Sequence, residues 1–154
     1  MNEQYINAFL SATKDVFNLM LDINPERKNI KLVDGIISSK DANILLGITG
    51  DLRGSILFGF NKEMTLEMVK SMSGMEMEEI DGFVSSVLGE LANIIGGHTT
   101  TNLTKNNYIC DIVPPEIFVG QYKSYSMASD KALSLLLETP MGQFDVILNL
   151  KENK

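Results

Sequence analysis

The sequence predicts an α/β fold of the α+β kind. We expect a single pseudo-symmetric domain over 1–154, in which two helix–strand–hairpin halves share one mixed or antiparallel sheet flanked by about three helices. Three observations carry this expectation. The chain has 154 residues, 44% apolar and 21% charged, which suits one packed core and not a disordered segment. Apolar spacing switches from helical to alternating and then repeats that change. The two halves, about 4–60 and 81–150, also echo each other in residue identity, with a short helix over 62–73 between them.

Residues 4–21 read as the first helix, because Ile6, Phe9, Leu10, Thr13, Val16, Phe17 and Met20 keep one face apolar. Pro25 and the charged run Glu26-Arg27-Lys28 are read as its end. Alternating runs over 30–38 and 42–49, then a glycine-bounded turn and 55–60, read as a strand and a hairpin. Asn61 is an N-cap candidate for the helix over 62–73, and Gly74 is its stop. Met64, Met68 and Met72 lie four residues apart, a spacing that fits core filling and also a methionine-lined groove. After the acidic connector 75–80, a helix over 81–95 is expected to stop at Gly96-Gly97. A strand over 108–113, the pair Pro114-Pro115, a further extended stretch to Val119 and a polar segment through Asp130 follow. A last hairpin occupies 132–138 and 143–150.

Composition removes several chemistries. Thirteen basic against 20 acidic residues give a net charge of −7, which argues against a nucleic-acid partner. One cysteine, Cys110, excludes an internal disulfide framework, and one histidine, His98, argues against a His/Cys metal site. No nucleophile-elbow motif accompanies the serines. No apolar run approaches the roughly 18 residues of a membrane span, and the N-terminus lacks a signal-peptide pattern. A cytoplasmic protein without membrane attachment is the expectation.

The repeat points to the candidate site. Ser11, Asp15 and Asn18 in the first helix recur 75 positions later as Ser86, Glu90 and Asn93, and Gly54 recurs 88 positions later as Gly142. The difference places extra chain in the second half, assigned to 120–131. In the long second helix, Phe83, Val84, Val87, Leu88, Leu91, Ile94 and Ile95 form an apolar stripe expected to face the sheet. Ser86, Glu90, Asn93 and Gly97 align on the opposite side, a carboxylate and a carboxamide one turn apart among small residues. By spacing alone, an ordinary solvated helix face reads the same way.

Ser86-Val87-Leu88-Gly89-Glu90-Leu91-Ala92-Asn93, followed by Pro114-Pro115, resembles the motif of the CheC/CheX/FliY phosphatases of bacterial chemotaxis. The likeness extends over essentially the whole chain. The first half carries Asp15 in place of Glu and has no matching proline, so the chain is similar to the CheX-like members, which keep only the later copy. The resemblance implies hydrolysis of the phosphoaspartate of a CheY-type response regulator, with Glu90 and Asn93 catalytic and Ser86, Gly97 and Pro115 (or Pro114) at the partner contact. In that scheme Asn93 positions water and Glu90 pairs with a lysine of the regulator. It implies no cofactor or metal of the chain's own, the divalent metal sitting on the regulator. It also implies a homodimer; the alternating larger side chains Tyr122, Tyr125 and Met127 in 120–131 read as a segment pairing across subunits, the alternative being a mobile surface loop. The alternative is a noncatalytic adaptor that docks a response regulator or motor-switch component on the same helix face.

Overall fold

A computed structural model describes residues 2–120 and 124–153; for residues 34–38 and 124–131 only the backbone course is described. Nine elements follow in the order α1 (Glu3–Leu21), β1 (Glu26–Ser38), β2 (Ala42–Gly50), β3 (Leu52–Phe60), α2 (Lys62–Ser73), α3 (Gly82–Lys105), β4 (Cys110–Val119), β5 (Ser124–Thr139) and β6 (Gly142–Glu152). The six strands form one sheet in the order β1-β5-β6-β3-β2-β4, and every pairing is antiparallel. Exchanging β1, β2 and β3 for β4, β5 and β6 leaves that order unchanged when it is read from the other end. β3 and β6 meet at the centre, while β1 and β4 form the edges.

Side-chain alternation assigns one face of the sheet to the helices. Ile44, Leu46 and Ile48 of β2, Ile56, Phe58 and Phe60 of β3, Leu133, Leu135 and Leu137 of β5, and Phe144, Val146 and Leu148 of β6 belong to the main core. α1 is seated by aromatic contacts: Phe9 lies 5.7 Å from Phe58, and Phe17 stacks on Phe144 at 5.1 Å. Tyr5 packs edge-on against Tyr108 at 5.3 Å, tying the start of α1 to the chain just after α3, and burial pushes its phenol well above the usual range. In α2, the Asn61 carboxamide accepts from the Met64 N–H at 2.8 Å, and Gly74 closes the helix at φ 76°. Met64 and Met68 are fully buried, so the methionine spacing serves the core.

The structure corrects several expectations. α3 does not stop at Gly96-Gly97 but continues to Lys105. Gly96 is buried beneath the helix, where a Cβ would come within 2.9 Å of Ile112 Cγ2 and 3.2 Å of Leu46 Cδ2. The glycine permits close helix–sheet approach, and that packing offsets its roughly 1 kcal/mol helix penalty. Phe83, assigned to the apolar stripe, is 41% exposed at the first turn of α3. β4 is one strand through Pro114-Pro115. The prolines fall where the register with β2 shifts between Leu45 and Gly47, so their missing N–H groups sit in a bulge on an edge strand. β1 starts at Glu26, ahead of the expected position, because an edge strand accommodates the charged run. Gly54 and Gly142 share positive φ but not a position. Gly54 opposes Ile48 inside its hairpin, and Gly142 opposes Thr139 at the turn itself.

The polar segment through Asp130 is likewise more regular than expected. Residues from Ser124 onward belong to β5, and Ser124, Tyr125 and Ser126 pair with Ser38, Ile37 and Ile36 of the same chain. The register breaks between Asp34 and Ile36, opposite Lys131 and Ser126, which absorbs extra residues of the second half. Tyr122 lies outside the described residues, as do the side chains of Tyr125 and Met127.

The neighbouring glycines of α3 have opposite requirements. Gly96→Val should cost about 1–3 kcal/mol by overpacking against Ile112 and Leu46. A Cβ at Gly97 would meet nothing within 4 Å, so Gly97→Ala should be neutral or stabilising by up to about 1 kcal/mol. Urea unfolding of the two variants checks this; equal midpoints would contradict the packing assigned to Gly96.

Candidate functional site

α3 is started by Asp81, whose carboxylate accepts from the Val84 N–H at 3.0 Å. Val84, Leu88, Leu91, Ala92, Ile95, Gly96, Thr99 and Leu103 form its buried side. With that side committed to the sheet, helical periodicity turns Ser86, Glu90, Asn93 and Gly97 to solvent, and all four are exposed. Successive members of this row stand three or four residues apart, where Cβ positions are about 5–6 Å from each other. The structure thus brings four of the five sequence-derived site residues together. Pro115 is separate, half-buried in the β4 bulge on the edge strand against which α3 packs.

The row contains one side chain already engaged and two that are not. Ser86 Oγ donates to the Gly82 carbonyl at 3.0 Å, a local bond within the first turn of the helix. Among the described residues, Glu90 makes no ion pair or side-chain hydrogen bond with the chain, and neither does the Asn93 carboxamide. A carboxylate offers only acceptors, whereas a carboxamide offers both donors and an acceptor. Side by side and unpaired, they can take a cationic donor and hold a water or anion from an incoming surface.

The first-half counterpart is built differently. Ser11, Asp15 and Asn18 are also exposed on α1, but α1 ends at Leu21, one turn beyond Asn18. Asp22 closes it in the left-handed region at φ 57°, with its N–H on the Asn18 carbonyl at 3.1 Å. The chain reverses there, and Asn18 Nδ2 donates to Asn24 Oδ1 at 3.1 Å. Among the described residues Asn93 has no such neighbour, because α3 runs on for about three more turns. Reading Gly96-Gly97 as a helix stop hides this difference. The run Thr99-Thr100-Thr101-Asn102 after it carries no breaker, and that is the available signal.

α1 and α3 pack side by side and antiparallel. Asn102 Nδ2 donates to the Ala8 carbonyl at 3.0 Å, while His98 shares a shallow depression of about 410 Å³ with Lys14, Asp15, Asn18, Leu19 and Asn24. A second cleft, of about 200 Å³, lies on the helix-free face of the sheet. Two of its polar groups are engaged internally: Lys40 pairs with Asp145 at 3.4 Å, and the Asn43 carboxamide bonds to Lys40 and Phe118 backbone. Among the described residues no group of three or more His, Cys, Asp or Glu is placed to hold a metal ion, and no helix is long and apolar enough to cross a membrane. His98 is half-buried in mid-helix, and Cys110 is buried at the start of β4, too far along the chain from Glu90 and Asn93 to belong to their row.

The family model described as chemotaxis phosphatase CheX matches residues 43–137, which include Ser86, Glu90, Asn93, Gly97 and Pro115. The chain is 28% identical over 155 residues to a CheY-P phosphatase CheX of Thermotoga maritima, covering 98% of each chain. It superposes on the crystal structure of a CheC-like superfamily protein from Shewanella sp. PV-4 with a TM-score of 0.88 at 25% identity, covering 98% of this chain and 99% of that one. It also matches the CheX of a Borrelia burgdorferi CheX–CheY–BeF3–Mg2+ complex, with a TM-score of 0.81 at 26% identity, over 96% of this chain and 98% of that one.

Because neither the Glu90 nor the Asn93 side chain contributes a bond to the fold, removing either should leave stability intact. Glu90→Ala and Asn93→Ala are each expected to unfold within about 0.5 kcal/mol of the unaltered chain. Urea midpoints displaced by more than that would mean the side chains serve the fold.

Proposed function

The chain belongs to the chemotaxis phosphatase CheX family, and from that premise we propose that it hydrolyses the phosphoaspartate of a CheY-type response regulator at the α3 face. The observation that carries this reading is the unengaged carboxamide of Asn93, exposed in mid-helix one turn from the unpaired Glu90. The name of the Thermotoga relative and the CheY bound in the Borrelia complex support the same substrate. The runner-up, a docking module without turnover, has no observation in its favour, since docking does not require a free amide at that position.

The chemistry asks little of this chain. An acyl phosphate is already activated, and the regulator supplies the divalent metal and lysine that stabilise charge on the phosphoryl group. What remains is to hold a water in line with the phosphorus. Asn93 Oδ1 accepts a hydrogen bond from that water and Nδ2 donates to the phosphoryl oxygens, orienting without acting as a base. The water oxygen bonds to phosphorus as the P–O bond to the aspartyl carboxylate breaks, and the water's protons remain with the inorganic phosphate released beside the regenerated carboxylate. Glu90 receives the regulator's lysine in a charge-assisted hydrogen bond and fixes the depth of insertion. Ser86 and Gly97 lie at the rim, where their small size lets the partner approach, and Pro115 stiffens β4 beside α3. A hundredfold acceleration corresponds to about 2.7 kcal/mol, which one oriented water can supply.

Asn18 does not act in this way. Its amide is held by Asn24, and Asp15 is one methylene shorter than Glu90, so a carboxylate there falls about 1.3–1.5 Å short of the same lysine; misplacement of about 1 Å is worth roughly a hundredfold. We therefore read one working site per chain. We also propose a cytoplasmic homodimer, for which the edge strand β1, with Ile30 41% and Leu32 64% exposed, offers a pairing surface.

Phosphate release from a phosphorylated regulator tests the mechanism. Asn93→Ala should lose about a hundredfold in turnover, and Glu90→Ala should chiefly raise KM. Asp15→Ala with Asn18→Ala should retain more than half the activity; loss of half or more in a folded variant would mean that α1 carries a second working site. Light scattering at micromolar concentration should give the mass of two chains, and a monomeric mass would remove the dimer from this account.

A further inference from the structure

The row on α3 is too small to hold a partner by itself. A specific protein contact covers roughly 800 Å² on each side and some 20–30 residues, so a regulator seated on Glu90 and Asn93 must also cover neighbouring surface. Two large apolar side chains stand out there. Phe83 is 41% exposed, and because it precedes Glu90 by seven residues it lies on nearly the same side of α3, two turns nearer the N-terminus. Leu19 is 73% exposed on α1, at the depression that reaches His98 of α3, next in sequence to Gly97. Other apolar residues of α1, among them Phe9, Val16, Phe17 and Leu21, are buried, so the exposure of Leu19 is not that of a generally apolar surface.

We infer that Phe83 and Leu19 are the apolar anchors that seat the regulator, one along α3 from the catalytic pair and the other across the groove on α1. This rests on the reading of the α3 face given above, with the same receiver domain as the occupant. Continuity with that face supports it: Phe83 extends the Ser86–Glu90–Asn93 row, and the antiparallel packing of α1 on α3 brings Leu19 alongside it. Buried apolar anchors contribute most of the energy at a contact of this size, while the polar residues around them set orientation. The first-half helix, without a working copy of the site, then has a role in recognition. Both residues act through position and touch no reacting atom.

Steady-state hydrolysis of the phosphorylated regulator separates this from catalysis. Phe83→Ser and Leu19→Glu are each expected to raise KM about tenfold, equivalent to about 1.4 kcal/mol, with kcat within about twofold. Phe83→Leu and Leu19→Met should recover most of the loss. Ile109→Glu, an apolar site 71% exposed in the connection between α3 and β4, serves as the control and should leave KM unchanged. Unchanged KM in Phe83→Ser and Leu19→Glu, while Asn93→Ala still abolishes turnover, would overturn the anchors and leave the catalytic face standing. Dissociation of a dimer by Leu19→Glu without a change in KM would assign that residue to a second copy of the chain and also overturn the proposal. Undiminished turnover in Asn93→Ala would instead remove the catalytic reading on which it rests.

Discussion

How closely α3 lies on the sheet is decided at Gly96. A methyl group there would meet Ile112 Cγ2 at 2.9 Å, so only a residue without Cβ lets the helix backbone approach β4 and β2 this far. That approach has two consequences. It orients the helix, with Leu88, Leu91, Ala92 and Ile95 inward and Glu90 and Asn93 outward. It also provides tertiary packing through a Gly-Gly pair that would break an isolated helix, so α3 continues to Lys105.

Helix length then distinguishes the two halves. The related triads Ser11–Asp15–Asn18 and Ser86–Glu90–Asn93 are both exposed, and in sequence they differ by a single methylene at the carboxylate. What separates them in space is the end of α1 at Leu21, which lets the chain turn back and bring Asn24 to the Asn18 amide. Among the described residues none bonds to the Asn93 carboxamide in mid-helix. A carboxamide bound to its own chain must give up that bond before it can orient water, whereas one facing solvent exchanges only hydration. Of the two carboxamides in the related triads, the fold therefore leaves one free and holds the other, on adjacent helices.

Much of this is legible in the sequence. Helical periodicity locates α1 and α2, Asn61 and Gly74 mark the cap and the stop of α2, and alternation identifies the strands whose inward residues form the core. The outward row on α3 follows from spacing alone. What is not legible depends on contacts between distant segments. Gly96-Gly97 looks like a terminator unless Ile112 and Leu46 are known to lie beneath it. Pro114-Pro115 looks like a break unless β4 is known to be an edge strand with a bulge. Phe83 fits an apolar stripe by its spacing, but the first turn of α3 leaves it exposed. The Asn18–Asn24 bond requires the direction of the chain after a left-handed cap, which residue identities do not specify.

The side-chain amides of Asn93 and Asn18 can be observed directly. In 1H–15N spectra of the chain, the Nδ2 resonances of Asn93 and Asn18 report the engagement of each carboxamide. On titration with a CheY-type regulator activated by BeF3 and Mg2+, the Asn93 side-chain amide is predicted to shift or broaden with saturation, and more strongly than that of Asn18, which keeps its bond to Asn24. A titration that moves Asn18 and leaves Asn93 unperturbed would contradict this prediction.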